Sequence, residues 1–486
     1  MIRSLFRDSV IYTVPTVISH GLSFFLIPLY TRVLSPADYG TLDMLMVSGN
    51  LVRLTVALEV SQGVARYYLD EKDHKRKVLY ASTAFWFTLA CYTIFLVVTL
   101  VFSQALSQMV MGVEGLEAIF QIGMGYLWLN GLFSLMENQF RWELRSKNYA
   151  MVSLLVALTT ASVSVELAYF LQWGLVGILY GMLAGSLVGC FYGLWYLRNS
   201  FRFRFQGAYL KEMLVFSGPL VPSGIAVFIS HYIDRLMINH YLSLNEVGLY
   251  GMGFRVASIV GLVMVGFNSA LTPLIYAHYR NSGTPQQLAV IFRVFLTCVL
   301  LMFLSLSFFA GEILWVLTTP NYYSAAKVVT FLVPAILLSN MYIFAPGIDI
   351  TKQTYWILWI NLGGAILHMC LNWFLIPQFG IMGASAANFL GYVGVFTTYM
   401  ILSQSLYPVP HHWSTLGISV AVAAVFAFWI PQINLGSVWN IILKVTVLLG
   451  TGLLFIATGL VRMADLTKIY IVTRHYFPRR WQQLAP

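Results

Sequence analysis

Charged residues are scarce in this 486-residue sequence. Asp, Glu, Lys and Arg make up 9% of the chain, whereas 59% of its residues are hydrophobic. An ordinary soluble domain carries about 25% charged residues, so most of this surface cannot face water. This composition excludes a cytoplasmic enzyme. It also supplies enough apolar residues for roughly fourteen bilayer-spanning helices of about 20 residues each.

Cysteine is rare too, and the motifs of common catalytic sites are missing. The four cysteines lie far apart inside apolar runs, so they predict neither a disulfide framework nor a zinc site. The sequence has no glycine loop followed by a phosphate-binding lysine, no metal-spaced His or Cys cluster and no nucleophile elbow. We therefore expect no catalytic residue, no bound metal and no cofactor, and ATP-driven transport by this chain alone is disfavoured.

Hydropathy windows of about nineteen residues predict an all-α polytopic membrane protein with fourteen transmembrane helices. The predicted spans are 9–31, 42–64, 79–103, 116–137, 149–171, 173–197, 215–241, 249–276, 288–311, 326–346, 356–377, 380–404, 413–433 and 438–461. They divide the chain into a six-helix bundle over 1–200, a second over 201–408, two further helices over 409–461 and a basic tail over 462–486.

Loop charges predict the orientation, because Lys and Arg next to spans are retained on the cytoplasmic side. With the N-terminus inside, 21 of the 28 Lys and Arg residues fall in inside segments, and only Arg32 and Lys327 fall outside. We therefore predict that both termini are cytoplasmic. The net charge of +10 belongs to these loops and does not indicate a nucleic-acid partner.

The two predicted bundles are related by an internal repeat. Residues 34–44 (LSPADYGTLDM) match residues 242–252 (LSLNEVGLYGM) at an offset of 208. A second match, at an offset of 206, pairs Tyr149, Gly174, Gly177 and Gly185 with Tyr355, Gly380, Gly383 and Gly391. Six helices per repeat place equivalent positions on the same side of the membrane. The halves are therefore predicted to be parallel repeats related by an axis along the membrane normal.

Ionisable side chains inside spans are the candidate functional residues, since each costs at least about 2.5 kcal/mol if it faces lipid. Arg53 lies near mid-membrane with no acid at i±3 or i±4, which makes it the best candidate for lining a cavity. Glu59 shares a helical stripe with Gln62 and Arg66, so a structural Glu59–Arg66 pair is an alternative to a functional role. Glu166 is the lone acid of its helix and is either a proton carrier or the partner of an arginine in the same half.

Three further candidates lie on adjacent spans. Two of them are on the seventh predicted span and one is on the eighth. An ion pair between these adjacent helices would neutralise two of the three charges and leave one positive charge over. A purely structural pair and a role in binding substrate or ion both remain open. These three residues are Asp234, Arg235 and Arg255.

Three stretches resemble a known family of transporters. They are SHGLSFFLIPLYTRVLSPADYGTLDM (19–44), RYY (66–68) and HYIDRLMINHYLSLNEVGLYGMGFRVAS (231–258). They resemble the polysaccharide-transport branch of the multidrug/oligosaccharidyl-lipid/polysaccharide (MOP) exporter superfamily, which includes the Wzx-type flippases. The resemblance implies two six-helix bundles that form a V around a central cavity, in a bacterial cytoplasmic membrane.

The resemblance also implies a function. Such flippases move an undecaprenyl-pyrophosphate-linked oligosaccharide to the outer leaflet by alternating access, coupled to an ion gradient or to the membrane potential. Arg53, Arg235 and Arg255 would then contact the anionic head group, because a guanidinium offers paired donors to phosphate. Membrane lipids, a polysaccharide polymerase and a chain-length regulator are the other candidate partners. The last two helices would provide a groove for the lipid tail or a surface for a partner.

The resemblance also concerns coupling to an ion. Related lipid II flippases are thought to use a sodium site, and the matching residues here would be Asp234 and Asn372. Ile376 stands where that site has a second acid, so a proton carried by an acid of the spans remains the alternative to Na⁺. Asp234, Glu166, Glu59 and Asn372 are the predicted coupling residues.

Rival functions are weighed by charge and loop length. A multidrug or cation antiporter of the same fold would favour acids in its cavity, and the balanced acids and arginines of these spans argue only weakly against it. A membrane glycan polymerase or ligase needs a sizeable outer loop, which the sequence lacks. A passive scaffold would replace the buried charges with leucine at lower cost.

Overall fold

The computed structural model describes residues 21–22, 24–433 and 437–461. Within this part of the chain the secondary structure is helical, without β-strands, which confirms the predicted all-α class. The predicted tail over 462–486 and most of the first predicted span, 9–31, lie outside the described residues.

The chain divides into two compact units. The first comprises Met1–Gly251 and Trp315–Tyr323, and the second comprises Met252–Leu314 and Ser324–Pro486. The helices of the first unit are α1 (Ile27–Val33), α2 (Pro36–Thr55), α3 (Val60–Asp70), α4 (His74–Val101), α5 (Ser103–Met111), α6 (Glu117–Trp142), α7 (Ser146–Val165), α8 (Gly174–Tyr196), α9 (Gly207–Ser217) and α10 (Leu220–Tyr241). The next helix, α11 (Leu244–Ala257), begins in the first unit and ends in the second.

The second unit contains the remaining α-helices. They are α12 (Ile259–His278), α13 (Thr284–Phe308), α14 (Ala310–Leu317, which ends in the first unit), α15 (Ala326–Leu338), α16 (Gly347–Ile350), α17 (Tyr355–Leu406), α18 (Trp413–Trp429) and α19 (Ser437–Ala457). Aromatic rings form part of its core, where Phe295 and Phe344 are both buried with ring centroids 4.6 Å apart.

Ten helices of the described residues are long and apolar enough to cross a membrane, or up to twelve if each bent pair is one span. The bent pairs are α2 with α3, at 49°, and α9 with α10, at 44°. Every predicted span from 42–64 to 438–461 overlaps one of these segments. Helix α17 holds two predicted spans, because Gly380 interrupts it with φ 60° and ψ −140°. The total of fourteen stays a prediction.

Small residues let the helices of the first unit approach closely. Helix α8 carries a glycine at every fourth position from Gly177 to Gly193. A Cβ at Gly181 would lie 2.0 Å from Ser164 Oγ, and one at Gly185 would lie 2.0 Å from Thr160 Oγ1, both on α7. Nearer the C-terminal end of the stripe, a Cβ at Gly193 would lie 2.6 Å from Met136 Sδ on α6. This glycine stripe is therefore a packing surface of α8 for α7 and α6.

Helices beyond residue 200 also pack in the first unit. Helix α10 packs against α2, and α9 packs against α3. The compact units thus follow contacts, whereas the predicted domain boundaries at 200, 408 and 461 follow the predicted transmembrane spans. Those boundaries, like the V around a central cavity, stay predictions.

Candidate functional site

The second predicted span is broken in its middle. Helix α2 ends at Thr55, α3 begins at Val60, and Leu58 and Glu59 have φ values of 49° and 52°. This left-handed conformation costs a non-glycine residue roughly 1–2 kcal/mol. The break contains neither proline nor glycine, so the local sequence does not relieve the strain. Irregular backbone at membrane depth is tolerated where it lines a water-filled cavity or is buried in protein.

A polar cavity of about 230 Å³ lies at this break, within the first unit. Arginine, carboxylate, amide and hydroxyl groups from α2, α3, α4 and α6 and from the break itself line it. The polar lining residues are Arg53, Glu59, Ser61, Gln62, Thr88, Tyr92, Ser134 and Asn138. A Cβ at Gly131, which also lines the cavity, would lie 2.1 Å from the Tyr92 ring, so this glycine lets the ring lie against α6. The cavity can accept an anion at Arg53 and hydrogen-bond donors or acceptors elsewhere.

Arg53 brings a solvent-accessible positive charge to this cavity. It is exposed and lies in the last turn of α2, where the helix dipole favours a cation. The Arg53 guanidinium acts electrostatically on Glu59 and on Tyr92. Within the described part of the chain it forms no ion pair at 4 Å or less. The structure thus places Arg53 in a cavity, and its contact with a substrate stays a prediction.

The break corrects one structural alternative. The predicted Glu59–Arg66 pair assumed an unbroken helix, and it is wrong. Arg66 instead pairs with Asp70, at 2.6 Å, because both lie on α3 one turn apart. The bend directs Glu59 to the cavity that Arg53 lines. Arg53 and Glu59, which a continuous helix places on different faces, therefore share one site.

Arg235 has very different surroundings. Its Nε lies 2.8 Å from Asp43 Oδ2 and its Nη1 lies 3.3 Å from Asp234 Oδ1. The Tyr250 hydroxyl donates to the other oxygen of Asp234. The rings of Tyr232 and Tyr250 each lie 5.6 Å from the guanidinium carbon, and the Arg235 side chain is 5% exposed. Asp43 was not predictable as a partner, because the two residues are 192 positions apart.

The two repeated segments, 34–44 and 242–252, contact each other next to this cluster. A Cβ at Gly40 would lie 1.8 Å from the Leu244 carbonyl oxygen, and a Cβ at Gly248 would lie 1.8 Å from the Pro36 carbonyl oxygen. Residues 36 and 40 correspond to 244 and 248 at the offset of 208, so the two contacts are equivalent under the repeat. Such reciprocity is expected where a pseudo-two-fold axis passes between equivalent residues. The axis itself stays a prediction.

Two other candidates lie apart from the cavity at the break. Glu166 is exposed and begins a π-helical turn, Glu166–Phe170, at the end of α7. Arg255 is half-buried on α11. Neither lines this cavity, so the structure joins Arg53 with Glu59, and Arg235 with Asp234, and leaves these two elsewhere.

A family model described as "Polysaccharide biosynthesis protein" matches residues 29–327, which is more than half of the chain. The chain belongs to this family. The chain is also similar to two proteins of Haemophilus influenzae. A protein of the Lsg locus is 25% identical over 278 residues, which is 56% of this chain and 66% of the relative. A membrane protein is 26% identical over 287 residues, which is 58% of this chain and 67% of the relative. The aligned part thus spans less than two thirds of the Lsg-locus protein.

Solved structures share the fold of this polysaccharide biosynthesis protein. The lipid II flippase MurJ, in an inward closed conformation, aligns with a TM-score of 0.68 at 12% identity, over 92% of this chain and 98% of MurJ. An inward-facing multidrug resistance MATE family transporter of the MOP superfamily aligns with a TM-score of 0.59 at 14% identity, over 82% of this chain and 98% of the transporter. The family match confirms the predicted link to polysaccharide biosynthesis, and these structures show that the chain shares its fold with MurJ and with a MATE family transporter.

The residues of this family member that match a sodium site fit that ion poorly. Asn372 is fully buried, its Nδ2 donates to the His368 carbonyl at 2.8 Å, and its Oδ1 has no hydrogen-bond partner among the described residues. Ile376 offers no oxygen one turn later, and both oxygens of Asp234 are already engaged. In the ranges that the structure describes, no group of three or more His, Cys, Asp or Glu residues is placed to hold a metal ion.

Proposed function

We propose that this protein is a flippase rather than an enzyme, and that it carries a polyprenyl-pyrophosphate-linked oligosaccharide across the cytoplasmic membrane. Its family and the fold that it shares with a lipid II flippase support a lipid-linked sugar as the cargo. The observation that carries the proposal is the position of Arg53, an exposed guanidinium in a polar cavity at a helix break inside a predicted span.

The chemistry of the cavity suits a phosphorylated head group. A pyrophosphate is a compact multivalent anion, and the planar guanidinium can donate two parallel hydrogen bonds to it. The Thr88, Ser134 and Asn138 side chains line the same cavity and offer neutral hydrogen-bonding groups. The lipid tail would stay in the bilayer, where it needs no polar contact.

Glu59 supplies a means of coupling transport to protons. Its carboxylate lies in the same cavity as Arg53 and competes electrostatically with an incoming anion. When Glu59 is protonated, this competition ends and Arg53 is free to bind the pyrophosphate. When Glu59 loses its proton, the carboxylate opposes the bound anion and favours its release. Protonation and substrate binding are thereby linked at one pair of side chains.

Alternating access requires that contacts on one side of the membrane open and close. The reciprocal contact of Gly40 and Gly248 lies at the predicted outer ends of α2 and α11. Close by, Tyr322 donates to the Leu34 carbonyl at 2.9 Å, which adds a hydrogen bond to the same closed end. We infer that separation of the two glycines is the step that exposes the head group to the outer face.

Substitution of Arg53 tests the function. We expect Arg53→Ala to abolish surface polysaccharide in cells that depend on this protein, with normal amounts of protein in the membrane. Arg53→Lys keeps the charge but loses the fork of donors, so it should restore transport only in part. Arg66→Ala is the matched control, because Arg66 lies on the adjacent helix and pairs with Asp70 at the surface. Normal polysaccharide in Arg53→Ala cells would remove Arg53 from the substrate site.

A cation antiporter is the second candidate, favoured by the Glu59 carboxylate in the cavity. On that alternative Glu59→Gln would sensitise cells to cationic drugs while surface polysaccharide stays normal. On the flippase proposal Glu59→Gln impairs polysaccharide display and leaves drug sensitivity unchanged. Both outcomes are read from the same strain, so one experiment separates the two functions.

A further inference from the structure

A second cavity, of about 550 Å³, lies in the second unit and is mostly apolar. It is a groove between the two halves of α17, before and after the break at Gly380. Trp356, Trp359, Gly363 and Leu367 line it from the first half, and Gly394 and Ile401 line it from the second. The residues that line this groove are different from those that line the cavity at Arg53 and from the predicted coupling residues.

Glycines shape this groove. On one face the two halves of α17 are in tight contact, since a Cβ at Gly364 would lie 2.5 Å from Val395 Cγ2. On the neighbouring face the helices leave space, because a Cβ at Gly363 would meet no atom of the described residues within 4 Å. A trough therefore runs beside a tightly packed seam, and its floor lacks side chains at Gly363.

The walls of the groove suit a hydrocarbon chain. Its two hydroxyls are already used, because Thr398 donates to the Gly394 carbonyl at 2.8 Å and Ser405 donates to the Leu402 carbonyl at 2.7 Å. Trp359 is 61% exposed and Ile401 is 67% exposed, so large apolar surfaces face outwards within a candidate membrane span. A sugar or a phosphate would lose its hydrogen bonds to water here, whereas a hydrocarbon loses nothing.

The length of the groove and the positive charge at one end of it indicate which kind of molecule it holds. From Trp356 to Leu367 the first half of α17 rises roughly 17 Å, about half of the hydrocarbon thickness of a bilayer. The groove therefore serves one leaflet, and loop charges place it in the cytoplasmic one. Lys352, an exposed cation, precedes Trp356 by four residues at that end of α17. A long-chain lipid with an anionic head group matches this order of charge, tryptophan and apolar trough.

We propose that this groove holds the polyprenyl chain of the lipid-linked substrate in the cytoplasmic leaflet, with its phosphate end towards Lys352. The inference rests on the proposed flippase function and adds where the tail is received. It assigns the tail to α17 rather than to the last two helices, where the family resemblance had located a tail groove.

Filling the groove tests the proposal. Gly363→Phe places a ring in the trough, and its Cβ would meet no described atom within 4 Å. Gly417→Phe on α18 is the matched control, since a Cβ there also meets no described atom within 4 Å and Gly417 is outside the groove. Ile401→Trp narrows the trough from the opposite wall and serves as a second variant. Monodisperse elution in detergent confirms that each variant is folded.

Binding is measured on purified protein in nanodiscs with undecaprenyl phosphate and with geranyl phosphate, which has a much shorter chain. We expect Gly363→Phe and Ile401→Trp to weaken undecaprenyl phosphate binding at least tenfold. Both should leave geranyl phosphate binding within twofold of the unmodified protein, and Gly417→Phe should change neither. Equal weakening of both probes would overturn the tail assignment, because the shorter chain needs little of the groove.

Two further outcomes separate this proposal from the function on which it rests. If the unmodified protein binds undecaprenyl phosphate but neither groove variant weakens it, the groove assignment fails and the flippase function stands. If the unmodified protein binds no undecaprenyl phosphate, the flippase function itself fails. Displacement of the probe by equimolar phosphatidylglycerol would assign the groove to ordinary phospholipid and would also overturn the proposal.

Discussion

Arg53 and Arg235 are both arginines of predicted spans in the first unit, but their surroundings are opposite. Arg235 is 5% exposed and lies between two carboxylates and two tyrosine rings. Arg53 is exposed to a polar cavity and shares it with one acid. A buried guanidinium that is already paired with two carboxylates is poorly placed to bind a passing anion, whereas one that faces a cavity can exchange water for phosphate. The same residue type thus serves structure at one position and, we propose, transport at the other.

The largest expected effect comes from removing the paired arginine. Arg235→Ala should destabilise the protein by about 3–5 kcal/mol, since it leaves two buried carboxylates without their cation. Loss of folded protein in detergent, measured by fluorescence-detected size exclusion over a temperature series, checks this prediction. Arg53→Ala is the counterpart and should keep the unmodified melting temperature. A stable Arg235→Ala protein that fails only in transport would reverse the roles of the two arginines.

The next effect concerns the glycine contact beside Arg235. Gly40→Ala and Gly248→Ala each force a Cβ against a carbonyl oxygen at 1.8 Å, so each should cost about 1–3 kcal/mol. The double variant should cost less than the sum, because the helices separate once for both. Gly125→Ala is the control, since its Cβ would make an ordinary contact at 3.7 Å with Leu183. Strictly additive melting shifts would show that the two glycines do not share one contact.

A smaller effect is expected for the acid beside Arg53. Glu59→Gln should retain substrate binding but lose the dependence of transport on a pH gradient, with a rate several-fold below that of the unmodified protein. Transport into reconstituted vesicles, with and without an imposed gradient, provides the measurement. If the gradient still accelerates the Glu59→Gln protein, another residue carries the proton.

The smallest effect is expected at an exposed pair. Arg66 and Asp70 have side chains that are 56% and 62% exposed, so their ion pair is screened by solvent. Arg66→Ala should therefore change stability by no more than about 0.5 kcal/mol. A thermal melt of the purified protein is sufficient to check it. A shift as large as that of Arg235→Ala would contradict the rule that burial separates the two kinds of ion pair.

Hydropathy and the repeat predicted the helices and the equivalence of Gly40 and Gly248, because both follow from local patterns. The break at Leu58 and Glu59 was not predictable, since neither glycine nor proline marks it. The missed break led to the wrong Glu59–Arg66 pair. Whether the equivalent glycines touch depends on where the axis passes, and a sequence repeat does not specify that.

Ion-pair partners that are far apart in the chain could not be predicted from the sequence either. Asp43 lies 192 residues from Arg235, and it was overlooked because it stands at the first turns of a predicted span. Arg53 was identified by its isolation, since no acid stands one turn away on the same helix. Local spacing therefore identified the unpaired cation but could not identify which acid neutralises the paired one.

Lys444, a cation within the last predicted span, has a clear partner in the structure. Its ammonium group on α19 donates to the Glu312 carboxylate on α14, 132 residues earlier in the chain. This ion pair connects the last described helix to α14 by charge. A variant without α19 would leave the Glu312 carboxylate without this cation.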